Sequence, residues 1–190
     1  MTRNAWLVVG LLIVSGCGSD SQQEDVDGSV SSVPSTAADG SSGGPTTDPC
    51  STMVVEPSDF ASETYPQLVE LERGEFDADW LRVDGAVGCL VELTEPGGDF
   101  RAVGVEGYVF DPAVASPEDV VEGRVAGSAF AVTSTALEGM PGVLGLLRDD
   151  ADIPYAVALE SGGVGVFVQT SASDIDPTVL VAVAESIVGG

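Results

Sequence analysis

A chain of 190 residues with 31 acidic side chains against six arginines, a formal charge of −25, has room for one ordinary domain once any export segment and linker are set aside. It contains no histidine and no lysine, which removes Ser-His-Asp, Cys-His and Ser-Lys nucleophile systems, Schiff-base chemistry and histidine-bearing metal sites. The same charge excludes nucleic acid as a partner, because binding it depends on Lys and Arg neutralising phosphates.

Residues 1–16 carry Arg3, then an apolar run from Ala5 to Val14, then the small pair Ser15 and Gly16. That order reads as a signal peptide. A bilayer-crossing helix needs about 20 apolar residues, and this run stops at roughly half that length. The residues at the cut, Val14-Ser15-Gly16-Cys17, resemble the lipobox of bacterial lipoproteins. The resemblance implies that the Cys17 thiol receives a diacylglyceryl group and that Cys17 becomes the first residue of the mature chain. Loss of Arg3 would then leave five arginines against 31 acids, a formal −26. Anionic headgroups repel such a surface, so the membrane contact falls to the lipid alone. The bias toward Ala, Val, Gly, Asp and Glu, with Asn4 the one asparagine, is similar to that of small lipoproteins from high-GC Gram-positive bacteria, which implies the extracytoplasmic face of the cell membrane.

Residues 17–49 follow Cys17 with Ser, Gly, Thr and Asp and almost nothing large and apolar, a composition that cannot offset the entropy of ordering. They read as a tether with an end-to-end distance of about 30 Å. The domain is expected to span 50–190. Its two cysteines, Cys50 and Cys89, have one connectivity, and an oxidising exterior makes them a structural disulfide.

Strand signals begin at Ala78. Trp80–Val83, the turn Asp84-Gly85 and 86–94 read as a hairpin, with Val87, Cys89, Val91 and Leu93 on one face. The Pro96-Gly97-Gly98 turn leads into a strand over 100–110, which completes a meander. Ser116 as N-cap with Pro117 at N1 starts a short helix ended by Gly123, and a strand is expected over 126–135. The segment 140–147, Met-Pro-Gly-Val-Leu-Gly-Leu-Leu, reads as a helix covering the sheet, with a flap or a partner patch as the other readings. A hairpin over 155–170 turns at Ser161-Gly162-Gly163, and these glycines match no phosphate-loop pattern. Asp176-Pro177 opens a last helix over 178–188, with Leu180, Val183, Ala184 and Ile187 on its inner stripe. The whole is an α+β domain with an antiparallel sheet packed by a C-terminal helix. Its ending resembles that of exported α+β domains such as the PsbP-like group, a resemblance of element order that transfers no functional residue.

Carboxylates, tyrosines and arginines remain for chemistry. Asp149, Asp150 and Asp152 form the densest acidic cluster, but they lack the alternating oxygen ligands and turn glycine of a calcium loop and read as a solvated loop. No cofactor is expected. The expectation is a membrane-anchored, non-enzymatic module of the cell envelope that binds an envelope protein or a small ligand. The rivals are a carboxylate-based hydrolase of envelope polysaccharide and a calcium-responsive surface protein.

Overall fold

Every second residue from Cys89 to Leu93 is fully buried, and this period-2 burial makes the segment a strand with one face in the core. The computed structural model describes residues 47–128, 131–148 and 152–189, so the expected signal peptide, Cys17, the expected tether up to residue 46, Asp149 and Asp150 lie outside the described residues. Seven strands form one sheet: β1 (Val69–Phe76), β2 (Val87–Thr94), β3 (Val103–Phe110), β4 (Val132–Ala136), β5 (Leu144–Arg148), β6 (Ala156–Ser161) and β7 (Val164–Thr170). Their order is β1-β2-β3-β7-β6-β5-β4, and all neighbours are antiparallel. Two meanders therefore meet where β7 lies beside β3, and helix α2 (Pro117–Gly127) carries the chain from β3 to the far edge.

Both faces of the sheet are covered, but unequally. On the first face Cys89, Val91, Val105, Val157, Val166 and Val168 pack with Met53, Phe60 and the last helix, α3 (Pro177–Gly189). Leu180, Val183, Ala184 and Ile187 are the buried side chains of α3, as its sequence stripe predicts. On the second face Tyr108, Phe110, Phe167, Ala156, Ala158 and Leu146 pack under Val120 and Val121 of α2. Helix α2 reaches β4 to β7, so β1 and the outer part of β2 are left without a helix over that face.

Local signals explain most boundaries. Ser116 and Asp119 exchange hydrogen bonds in a capping box, and the Ser116 backbone N–H, then its hydroxyl, hold the Asp119 carboxyl below its ordinary range. Asp176 Oδ1 accepts from the Thr178 backbone N–H at 2.9 Å, which caps α3 and lowers that carboxyl's pKa in the same way. Gly162 and Gly163, with φ of 61° and 78°, form the two-residue turn of the β6–β7 hairpin, the conformation a tight hairpin demands. Cys50 in α1 (Pro49–Thr52) is bonded to Cys89 in β2 with 5.0 Å between the Cα atoms.

Five expectations need correction. The first hairpin strand is Val69–Phe76 rather than Trp80–Val83, of which Trp80 and Leu81 belong to the 3-10 turn Asp79–Leu81. The Asp84-Gly85 turn is present, with Ala86 N–H donating to the Val83 carbonyl at 3.2 Å, but it leads out of a loop. Helix α2 runs through Gly123 to Gly127, because Gly123 stands in open space and breaks no packing. The strand expected over 126–135 accordingly begins only at Val132. The 140–147 segment is a turn followed by β5, not a covering helix: Gly139 and Gly142 take φ of 76° and 80°, and Leu144 and Leu146 pair with β6 and β4. Lastly, the strand expected from Phe100 starts at Val103, and Phe100 is 86% exposed.

Candidate functional site

Glu106 and Gln169 are the polar interruptions in two otherwise apolar strands, and they are directly opposed on β3 and β7. They sit on the second face and belong to a closed ring of five side chains. Trp80 Nε1 donates to the Tyr108 hydroxyl at 2.9 Å, and that hydroxyl donates to Glu106 Oε2 at 2.6 Å. Gln169 Nε2 donates to the same carboxylate oxygen, Arg124 Nη2 donates to Gln169 Oε1 at 3.4 Å, and the Arg124 guanidinium stacks 4.7 Å from the Trp80 ring centroid. Trp80 also meets Tyr108 and Phe167 edge-on, at centroid distances of 5.1 and 5.5 Å. The ring thus joins the 3-10 turn, β3, β7 and α2, and fixes the 77–82 loop on the sheet.

Burial, and then the Glu106 carboxylate that accepts its proton, push the Tyr108 hydroxyl far above its ordinary value, while the Trp80 N–H and Arg124 pull weakly the other way. A raised tyrosine pKa favours the protonated side chain in the folded state. Its contribution to stability is whole below the unfolded value near 10 and is lost as pH climbs above it. Tyr108→Phe is expected to remove about 1–3 kcal/mol at neutral pH, the range for a buried hydrogen bond to a charged group whose partners lose their donor or acceptor. It should also flatten the fall of stability between pH 10 and 12. Urea denaturation of both proteins across that range checks it, and parallel pH profiles would contradict the assignment.

The fixed loop forms one wall of a cleft of about 470 Å³ at the end of β1, lined by Asp48, Glu75, Phe76, Asp77, Asp79 and Val87 among others. Two of these carboxylates are engaged locally: Asp48 Oδ1 accepts from Cys50 N–H and Asp77 Oδ1 from Asp79 N–H. A smaller cleft of about 180 Å³ is lined by Trp80, Arg82, Gly123, Arg124 and Gly127. Arg82 holds a left-handed backbone, φ 56°, at the close of the 3-10 turn.

Strand β1 borders the larger cleft and is one of the two edges of the sheet, β4 being the other. Six of its eight residues are exposed. Among the described residues, five of the seven exposed large apolar side chains lie on or beside it: Val69, Leu71 and Phe76 in the strand, Val87 at the start of β2, and Val54 next to the Met53 carbonyl that accepts from Arg73. Glu70, Glu72 and Glu75 supply its charge, and its one base, Arg73, is held in a two-pronged pair by Glu70 at 3.0 and 2.9 Å. That pair holds the Glu70 carboxyl below its ordinary range.

No family model, curated protein or solved structure matches the chain.

Of the residues singled out from sequence, Cys50 and Cys89 are brought together and Asp152 is not. Asp152 is exposed in a bend, and no group of three metal-ligating side chains is assembled among the described residues. Cys17, Asp149 and Asp150 lie outside them. Sequence reading passed over β1 and the five-membered ring. The available signal for the ring was a charged or amide side chain at mid-strand, Glu106 in Val-Glu-Gly-Tyr and Gln169 in Phe-Val-Gln-Thr, where burial demands a partner.

Proposed function

We propose that the chain is a lipid-anchored, extracytoplasmic binding module of the cell envelope, attached through an acylated Cys17 and acting by association with an envelope protein or small ligand. The binding part is carried by one observation: the longest open edge of the sheet gathers most of the exposed apolar side chains on a surface otherwise rich in carboxylates. Exposed apolar surface concentrated in one place, rather than scattered, marks a contact site. The attachment rests on the Val14-Ser15-Gly16-Cys17 signature, and the Cys50–Cys89 bridge is in keeping with an oxidising exterior. A pair of acyl chains, at about 0.8 kcal/mol per buried methylene, would make that attachment durable.

Cell fractionation with mass measurement of the mature N-terminus tests the attachment. The natural chain is expected in the membrane fraction with acyl mass on Cys17, and Cys17→Ala is expected to leave that fraction. A natural chain without added fatty acid would overturn the reading.

A further inference from the structure

We infer that the free edge of β1 is a docking site for an extended, lysine- or arginine-bearing segment of a partner protein, which adds to the sheet as an eighth strand and places a basic side chain in the acidic cleft at the strand's end. This deepens the proposed binding role and rests on it. The backbone condition is met: no backbone hydrogen bond other than those to β2 engages residues 69–76 among the described residues. A sheet edge of this kind offers unpaired N–H and C=O groups that an added strand can satisfy. A bulge between Glu70 and Glu72 breaks the register, so Glu72–Phe76 is the regular stretch available for pairing, and it runs into the cleft lined by Glu75, Asp77 and Asp79.

Charge decides between the occupants. A second copy of β1 would bring Glu70, Glu72 and Glu75 against their own equivalents with no uncompensated base to meet them, and like charges on paired strands destabilise. The chain's own segment 18–46 carries five acids and no base, so it is repelled in the same way. A strand that alternates basic and apolar residues answers both features at once. The register that puts its basic side chains on the Glu75 face puts its apolar ones beside Phe76, since Glu75 and Phe76 oppose Cys89 and Gly88 on opposite sides of the sheet, and Glu72 adds to the negative field along the edge. The glutamates thus bar self-pairing while admitting a cationic partner.

The test uses the full-length chain in detergent and a ten-residue synthetic peptide alternating lysine and valine. Calorimetric titration is expected to show saturable binding, and backbone hydrogen exchange at 72–76 should slow at least tenfold at saturation while β4, the opposite edge, is unchanged. The same peptide with alternate backbone nitrogens methylated cannot donate into a ladder and should lose the binding. Glu72→Lys/Glu75→Lys should lower affinity at least tenfold; both glutamates are exposed, and should that protein fail to fold, Glu72→Gln/Glu75→Gln should lower it at least threefold. Absence of binding, protection elsewhere, or indifference to methylation and to both double variants would overturn the inference. Acylation of Cys17 is read separately, so an acylated chain that ignores the peptide sinks the docking site alone, and a peptide-binding chain without acyl mass sinks only the anchor.

Discussion

Cys50→Ala or Cys89→Ala is expected to lower the stability of the domain by about 4 kcal/mol, the chain-entropy value for a bridge closing a loop of this length. The two cysteines are separated by 39 positions. The bond has more to hold than loop entropy. Helix α1 has four residues, too few to sustain itself in water, and it is seated on β2 by this bridge and on α3 by the Val54 N–H donating to Ser186 Oγ at 2.9 Å. Cys89 is fully buried in the first-face core, whereas Cys50 is partly buried against it, so alanine at Cys89 removes more packing than alanine at Cys50. Thermal denaturation should therefore show a fall on the order of 10 °C for Cys50→Ala, a similar fall for the natural chain under reductant, and a slightly larger one for Cys89→Ala. A loss below about 1 kcal/mol in all three would mean that the bridge is an accessory to a fold that stands without it.

Legibility from sequence followed the number of constraints each residue obeys. Helix α3 was readable because cap, proline and apolar stripe agree: Asp176, Pro177 and the Leu180–Val183–Ala184–Ile187 spacing all point one way. The β6–β7 hairpin was readable for the same reason, with two glycines between two apolar runs. Strand β1 was hidden because it is an edge exposed on both faces: the apolar–polar alternation of Val-Glu-Leu-Glu lasts four residues and is lost in Arg-Gly-Glu-Phe, too short a run of the pattern that a half-buried strand carries. The 140–147 segment misled for the opposite reason. An apolar run broken by glycines has the same composition in a buried strand as in a loose helix, and its strand character is set by β4 and β6 on either side. The five-membered ring needs residues 80, 106, 108, 124 and 169 together, and no local pattern relates positions so far apart.

The glycines inside strands carry the second large effect. Gly165→Ala is expected to destabilise the protein by about 3 kcal/mol, the upper part of the range for overpacking a core. Its backbone is not in the left-handed region, so conformational strain is not the cause. Gly165 lies directly opposite Phe110, and a Cβ there would come within 2.1 to 2.5 Å of three atoms of that fully buried ring. Gly88 stands in the same relation to Tyr108, whose ring atoms a Cβ would meet at 2.7 Å. In both pairs an aromatic ring lies over the bare strand opposite, which is how two large rings fit beneath α2 and the 77–82 loop. If contact with the ring is the whole cost, it disappears when the ring does. Phe110→Ala alone should cost about 3–5 kcal/mol, and adding Gly165→Ala to it should cost nothing further, or recover a few tenths through the lower entropy of the unfolded chain. A double-mutant cycle by urea denaturation reads this as a coupling of about 3 kcal/mol. Additive losses would instead place the demand for glycine in the backbone of β7 itself and remove the ring-over-glycine account of the second face.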